Sequence, residues 1–347
     1  MLLKYRSLVI WVFCFAVLLG SSYNLYLSYE YEDNVDCQTY LQVANGNFKD
    51  QNLIRRYRFI VPFAAKAIAL PIEKIYHKLW PNRAKNDHGP IRIGFLVVNL
   101  MLMSLVGMFI YYLLKAYHLS SITALLVSII VLIGGRWGTL FSAAPLTDSL
   151  YMLLITMLLY AIKTDKYQYL IISLLIGTIA KEAFLMLIPL ALYFSNYSKP
   201  KLLFCIGIGI GITWWSRYLI DLSDLQISMS KSIEADIHHI ENITRTIKRL
   251  AGVRGIGELC TVFGLFTLIF ATGFWGGKSE IKVWFGKVDS VIWAFFPIII
   301  AHVLLSTEAA RMIYLFAAPL AVIMGLIIEN HYLFSFYQKN IETSLND

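Results

Sequence analysis

The stretch LIGTIAKEAFLML, residues 175–187, places Lys181 and Glu182 side by side inside an apolar run that extends over residues 167–194. Charged side chains near the middle of a membrane-spanning segment are costly, and by default they are functional. The run therefore predicts one of two structures. It forms a single long tilted helix with a buried ion pair, or a hairpin of two short helices with the charges at its tip. The sidedness of everything that follows depends on which of the two is right.

The composition is that of a membrane protein. The chain has 347 residues, of which 58% are hydrophobic and 15% are charged, and its mean hydropathy is +0.63. Soluble proteins carry about 25% charged residues. Several continuous apolar runs reach the roughly 20 residues that cross a bilayer as a helix, so we expect an all-α integral membrane protein with about ten transmembrane helices, two of them short.

Charge and cysteine content narrow the class further. The net charge of +8 indicates basic loops that face the cytoplasm rather than a nucleic-acid surface. Three of the four cysteines fall in apolar runs, so no disulfide framework is implied. The first apolar run, 8–27, follows Lys4 and Arg6 and has no convincing small-residue cleavage site. We interpret it as an uncleaved signal-anchor helix.

The distribution of basic residues distinguishes the two structures for residues 167–194. The candidate spans are residues 8–27, 92–114, 119–134, 146–162, 168–180, 183–195, 202–220, 258–276, 288–305 and 309–328. Short cytoplasmic loops are enriched in Lys and Arg. The hairpin puts the short basic loops on the cytoplasmic side, and these carry Lys115, Lys163, Lys166, Lys199, Lys201, Lys278, Lys282 and Lys287. The single helix would invert every later segment and would bring Arg245, Lys248, Arg249 and Arg254 inside, which counts in its favour. We favour the hairpin.

The hairpin also defines the organisation of the chain. A single polytopic domain covers residues 1–328 and carries two external segments, 28–91 and 221–257, and residues 329–347 form a cytoplasmic tail. The first external segment mixes apolar and basic residues, as helices that lie in the membrane interface do.

Charged and polar residues at the span ends gather on the external side. In the hairpin arrangement this side carries Asp36, Arg58, Arg136, Asp148, Lys181, Glu182, Arg217, Asp221, Glu308 and Arg311. The cytoplasmic loops, by contrast, hold mostly lysines. Acids and bases that converge on one face indicate a site.

Five of these residues also have a purely structural explanation. Asp148 can cap the helix that it begins. Glu308 and Arg311 are three residues apart and can form an ordinary helix pair. Lys181 and Glu182 can form a solvated turn. The hypothesis of a site depends on their common face.

Five motifs occur in a fixed order along this face. They are DCQTY from Asp36 to Tyr40, YRFIVP around Arg58, PLTDSLYMLL around Asp148, AKEAFLMLIP around Lys181 and EAARMIYLFAAP from Glu308. Together they resemble the GT-C superfamily of polytopic glycosyltransferases, which includes the protein O-mannosyltransferases and the aminoarabinose transferases of lipid A. The resemblance covers about residues 1–328. Many members have an Asp-Glu pair where this chain has Asp36 followed by Cys37.

The resemblance implies roles for individual residues. Asp36 becomes the catalytic base, with Asp33 as the runner-up, and Asp148 becomes the second catalytic acid. The residues implied in substrate binding are Tyr40, Arg58, Lys181, Glu182, Glu308 and Arg311, of which the Arg and Lys side chains hold a lipid phosphate. No metal ligand is implied, although acids on the outer face leave a divalent cation open as a cofactor.

The implied activity is an inverting transfer of a sugar from a polyprenyl-phosphate carrier. The acceptor is a glycan, a lipid or a protein, the lipid bilayer is the surrounding partner, and no nucleic acid is involved. We expect the cell (inner) membrane of a bacterium, with the active site on the external face and a role in building the polysaccharides of the cell envelope.

Two other functions fit part of the sequence. A polysaccharide polymerase or ligase uses lipid-diphosphate glycans and an external arginine-rich loop, and Arg245, Arg249 and Arg254 would suit that activity. A secondary transporter needs charged residues near the bilayer midplane. Lys181 and Glu182 provide them only if residues 167–194 form one helix.

Overall fold

A computed structural model of the chain describes residues 5–49, 51, 54–79, 88–222, 242–306 and 308–334, and within them it contains helices and no β-strand. The helices are, in chain order, α1 Arg6–Ser28, α2 Val35–Ala44, α3 Ile60–Leu79, α4 Gly89–Ala116, α5 Ser121–Ile133, α6 Arg136–Ala143, α7 Asp148–Thr164, α8 Tyr167–Ala180, α9 Ile188–Phe194, α10 Lys199–Leu222, α11 242–250, α12 Val253–Phe263, α13 Leu268–Thr272, α14 Lys278–Phe285, α15 Ser290–Leu305, α16 Ala309–Leu315 and α17 Ala317–Asn330. The all-α class is confirmed.

The number of spans is smaller than the ten segments suggested. Among the residues that the structure describes, four helical stretches are long and apolar enough to cross a membrane, namely α1, α4, α10 and the stretch Val253–Thr272. The number rises to seven if three bent pairs, α5–α6, α14–α15 and α16–α17, each count as one span. The difference comes from short helices. α7 has 17 residues, about 26 Å of helix, and α8 has only 14, whereas the hydrocarbon core is roughly 30 Å thick.

Breaks divide two of the predicted segments, and a bend lies at the end of a third. The segment predicted at 309–328 is two helices, α16 and α17, at 75° to each other. The segment predicted at 119–134 continues after Gly135 into α6, which is bent from α5 by 65°. A methyl group at Gly135 would lie 2.1 Å from the Val262 carbonyl oxygen, so this close approach requires glycine. The segment predicted at 258–276 breaks at Gly264, where φ is +57°.

Residues 167–194 form a hairpin. α8 ends at Lys181, whose backbone is extended, and a 3₁₀ turn over Glu182–Leu187 leads into α9. Phe184 folds back on Gly177, where an added methyl group would lie 2.3 Å from its ring. The rings of Tyr167 and Tyr197 lie 4.5 Å apart, so the beginning and the end of this segment meet. The chain therefore reverses at Lys181, and the single long helix is excluded.

The lysine-bearing turns lie at one end of the helices, opposite the tip of this hairpin. Arg6 donates to the Tyr111 hydroxyl near the end of α4. Lys163, at the end of α7, donates to Asp289 at 2.6 Å, directly before α15. Lys287 and Lys163 line one depression with the end of α17. The turns predicted to share the cytoplasmic side are thus at one end, and which side of the membrane that end faces remains a prediction.

α7 is the central helix, buried along almost its whole length between α4, α8 and α17. Its first turn is fixed by Asn99 of α4. The Asn99 side-chain amide donates to the carbonyl oxygens of Ala144 and Leu146, each at 3.1 Å, and its oxygen accepts from the Ser149 hydroxyl. These bonds set the position of Asp148, the first residue of α7.

The two predicted external segments contain helices among their described residues. α2 and α3 occupy the first, and α3 packs across the start of α4, where a methyl group at Gly94 would meet the Ala65 carbonyl oxygen. The second contains the end of α10, α11 and the start of α12. Residues 223–241 and, in the predicted tail, 335–347 lie outside the described residues.

Candidate functional site

Asp36 lies in the first turn of α2. Asn34 is the N-cap of this helix. Its side-chain oxygen accepts from the backbone N–H groups of Asp36 and Cys37 at 2.9 and 3.2 Å. The cap holds the Asp36 carboxylate beside two guanidinium groups. Arg55 Nε lies 2.5 Å from Asp36 Oδ1, and Arg311 Nη1 lies 2.8 Å from Asp36 Oδ2.

Arg311 connects three carboxylates. Besides Asp36, its Nη1 donates to Glu308 Oε2 at 3.0 Å, and its Nη2 donates to Asp148 Oδ2 at 2.5 Å. The bend between α16 and α17 puts this arginine on a helix of seven residues that points its side chain toward α2 and α7. Glu308 and Arg311 are the helix pair that their spacing suggested, and they are also part of a larger ion-pair network.

Asp148 and Lys181 form a buried pair. Lys181 Nζ donates to Asp148 Oδ1 at 3.0 Å, and the Asp148 side chain is only 1% exposed. The ammonium group also lies 5.1 Å from the centre of the Tyr151 ring, a distance at which a cation is attracted to the ring face. Thr147, and not Asp148, is the N-cap residue of α7, and the two carboxylate oxygens of Asp148 accept from Lys181 and Arg311.

Arg58 and Glu182 form the second half of the site. The Arg58 guanidinium donates to both oxygens of Glu182, which is the bidentate geometry that favours a strong pair. Its Nη1 donates to the Tyr40 hydroxyl at 3.2 Å. Burial alone would lower the pKa of Arg58, but the attraction of Glu182 and Tyr40 outweighs it and raises the pKa above its usual range. Arg58 is a permanent cation here.

A cavity of about 750 Å³ lies between these groups. Its charged lining consists of Asp33, Asp36, Arg55, Arg58, Lys181, Glu182, Glu308 and Arg311. An apolar wall is formed by Ile54, Ala183, Met186, Leu305 and Met312. Met186 and its neighbour Leu185 reach the exposed surface, so the apolar wall continues outward from the charged part.

Two of the predicted residues stand behind the cavity wall rather than on it. Asp148 is buried and contacts the cavity through Lys181 and Arg311. Tyr40 is fully buried and contacts it through Arg58. Arg217 and Asp221, also predicted on this face, lie at the end of α10. Asp221 accepts from the Tyr57 hydroxyl at 2.7 Å.

Two residues of the cavity lining were missed in the sequence. Arg55 belongs to the run RRYR, three arginines in four residues, and that density was the available signal. His302 lies inside an apolar segment, where an ionisable residue is itself a signal. Its Nε2 lies 3.2 Å from the Tyr151 hydroxyl, and its Nδ1 lies 2.9 Å from the Ile298 carbonyl oxygen.

Possible metal ligands and the thiol beside Asp36 complete the description of the site. In the residues that the structure describes, no three His, Cys, Asp or Glu side chains come close enough to hold a metal ion. Burial raises the pKa of the Cys37 thiol to about 12, so this neighbour of Asp36 is a neutral thiol and a poor nucleophile at neutral pH.

Comparison of this chain with family models, with curated proteins and with solved structures finds no match.

Proposed function

We propose that this chain is a membrane glycosyltransferase of the GT-C type, which moves a sugar from a polyprenyl-phosphate carrier to an acceptor hydroxyl. One observation supports it above the others. Asp36, Arg58, Lys181 and Arg311, which lie far apart in the sequence, line one cavity at one end of the helices. A potential base, several phosphate ligands and an apolar wall are therefore adjacent.

The cations suit the phosphate of such a donor. Arginine binds phosphate through two parallel hydrogen bonds, and lysine acts as a point charge. Arg58, Lys181 and Arg311 are each held by a carboxylate partner, so their positions are fixed before a ligand arrives. Fixed dipoles and charges stabilise developing charge without reorganisation. The apolar wall at Met186 and Leu305 offers the lipid tail a path beside the phosphate.

The reaction needs one proton acceptor. The hydroxyl oxygen of the molecule that receives the sugar attacks the anomeric carbon. The bond from that carbon to the phosphate oxygen breaks, and the polyprenyl phosphate leaves with the electron pair. Asp36 takes the proton of the attacking hydroxyl, and direct displacement inverts the anomeric centre. Asp148 is placed to orient Lys181 and Arg311 rather than to contact the sugar, because it lies behind both of them.

The test of the base is Asp36→Asn, assayed for sugar transfer from a lipid-linked donor in isolated membranes. General base catalysis contributes about 10²- to 10⁴-fold, and we expect the rate to fall by an amount in that range. Asp289→Asn, at the opposite end of the helices, is the matched control and should keep the wild-type rate. Full activity of Asp36→Asn would overturn the assignment.

A lipid-diphosphate donor is the second candidate, because four cationic side chains, Arg55, Arg58, Lys181 and Arg311, line the cavity. The same membranes supplied with a lipid-diphosphate glycan and with a lipid-monophosphate sugar distinguish the two donors. The transporter hypothesis loses its main argument, since it required Lys181 and Glu182 in the middle of one long helix and the chain reverses there.

A further inference from the structure

Both oxygens of the Asp36 carboxylate are covered in the empty site. Arg55 Nε lies 2.5 Å from Oδ1, and Arg311 Nη1 lies 2.8 Å from Oδ2. A general base must come within hydrogen-bond reach of the proton that it abstracts. Each carboxylate oxygen has two acceptor positions, so each oxygen of Asp36 keeps one open position beside its guanidinium. Withdrawal of one guanidinium would leave that oxygen fully open to the proton of an acceptor.

Arg311 is the wrong candidate for this movement. It contacts Asp36, Asp148 and Glu308 at once, and its side chain is 11% exposed. Moving it would leave the buried Asp148 carboxylate with one cation fewer, and a buried charge that loses its partner is strongly destabilising. Arg55 is more accessible, with a side chain that is 31% exposed.

The backbone around Arg55 is held while its side chain faces the cavity. Its neighbour Arg56 is fully buried and pairs with Asp221 of α10. Arg58, at the end of the same 3₁₀ turn, pairs with Glu182 and bonds Tyr40. These contacts hold the turn on both sides, so a change in the direction of the Arg55 side chain within the cavity does not require the turn to move.

We infer that Arg55 exchanges partners, covering Asp36 in the empty site and moving to the phosphate of a bound lipid-linked donor. This inference rests on the proposed function. A phosphate competes with a carboxylate for the same guanidinium through hydrogen bonds of the same kind. The exchange frees Asp36 Oδ1 of its guanidinium only when the donor is present, so binding of the donor and release of this oxygen become one event. Arg55 is then a phosphate ligand and a positioning residue for Asp36.

The experiment measures binding of polyprenyl monophosphate to the full chain in lipid nanodiscs, in wild type, Asp36→Asn, Arg55→Gln and the double variant. In wild type the phosphate must displace Asp36 from Arg55. Asp36→Asn removes that competition, so we expect it to bind polyprenyl phosphate about tenfold more tightly, in line with a hydrogen bond to a charged group. In the Arg55→Gln background the same change should have less than a third of that effect.

Two variants control for trivial causes. Glu308→Gln removes a carboxylate that contacts Arg311 and not Asp36, and its effect on binding should be the same with Arg55 and with Gln at that position. Arg55→Lys keeps the cation and should keep part of the coupling to Asp36, whereas a variant that merely damages the fold would lose it. The unfolding temperature of each variant in detergent shows whether the fold is retained.

The outcomes separate this inference from the proposed function. If wild type binds polyprenyl phosphate and the effects of Asp36→Asn and Arg55→Gln are independent, the exchange is wrong and the proposed function survives. If wild type binds no polyprenyl phosphate, both fail. Inorganic phosphate forms the second arm, and equal coupling with it would assign the exchange to the phosphate group itself, whereas coupling with the lipid alone would make the tail part of recognition.

Discussion

The two ends of α7 carry the same kind of ion pair in different surroundings. At its beginning Asp148 pairs with Lys181 at 3.0 Å, with the two side chains 1% and 10% exposed. In its last turn Lys163 pairs with Asp289 at 2.6 Å, with side chains 24% and 40% exposed. An exposed pair contributes little to stability because water competes for both charges. A buried pair carries a large desolvation cost, and losing one partner leaves an uncompensated charge.

The comparison teaches where the chain concentrates costly interactions. Lys163 pairs with Asp289 and lies over the ring of Tyr117. These contacts join the end of α7 to the residues just after α4 and just before α15. Lys181 shares Asp148 with Arg311, which in turn shares Asp36 with Arg55. Replacing a buried ion pair by apolar residues is often neutral or stabilising, so such a network is weak support for stability and a reason to look for function.

The largest expected effect concerns sidedness. We expect single cysteines that replace Glu32, beside the cavity, and Lys166, at the other end, to be labelled from opposite sides of intact membrane vesicles. Both positions are exposed. The background should carry Cys260→Ser, because Cys260 is the exposed one of the four native cysteines. Labelling of both positions by one impermeant reagent from the same side would contradict the arrangement of the two ends.

Next in size is the loss of the buried carboxylate. Asp148→Asn should destabilise the folded protein by about 3–5 kcal/mol, because Lys181 and Arg311 remain buried without it. Chemical unfolding in detergent measures the difference. Adding Lys181→Met should recover much of the stability but no activity. A loss below about 1 kcal/mol would place this pair in the same class as the exposed one.

A medium effect is expected at the hairpin that brings Lys181 to the cavity. Gly177→Ala pushes a methyl group into the Phe184 ring, 2.3 Å away, and overpacking of this kind costs about 1–3 kcal/mol. Gly207→Ala on α10 is the control, since nothing lies within 4 Å of the added group. We expect the control to be neutral or slightly stabilising in the same unfolding measurement. Equal stability of both variants would mean that the two arms of the hairpin are not in close contact.

The smallest effect is expected at the exposed pair. Lys163→Ala and Asp289→Asn should each cost less than about 1 kcal/mol, and a double-mutant cycle should give a coupling energy within the same limit. Raising the salt concentration should reduce that coupling, because exposed charges are screened. A coupling above about 2 kcal/mol would remove the contrast between the two ends of α7.

Much of the helical architecture could be predicted from the sequence, because apolar length and the placement of lysines are local signals. The hairpin at Lys181 was predicted from the distribution of charged residues alone. The bends between helices were not predicted. The break between α16 and α17 falls at Phe316, and the signal for it was Pro319, whose ring clashes with the carbonyl group four residues earlier in a continuous helix. α6 was missed because its sequence, RWGTLFSA, has too few apolar residues to suggest a buried helix.

The site could be predicted as a set of residues and not as a set of pairs. Sidedness and the ordered motifs brought Asp36, Arg58, Lys181 and Arg311 to one face. The sequence could not tell that Arg311 contacts Asp36, 275 residues away, or that Asp148 stands behind the cavity wall. Such pairings depend on how α2, α7 and α16 pack, and packing is a property of the whole fold. Arg55 was not predicted because it lies outside the motif YRFIVP, which contains Arg58.

The bend at Phe316 lies at the end of the short helix that carries Arg311. Phe316 is fully buried and packs edge-on to the rings of His302 and Phe295, at 4.9 and 6.1 Å. Arg311 lies five residues earlier, in the short helix α16 whose C-cap is Phe316, so a change in how Phe316 packs would move the helix that carries the guanidinium. For laboratory evolution of the proposed donor site, substitutions at this apolar position are a way to move the Arg311 guanidinium while every charged residue of the cavity is kept.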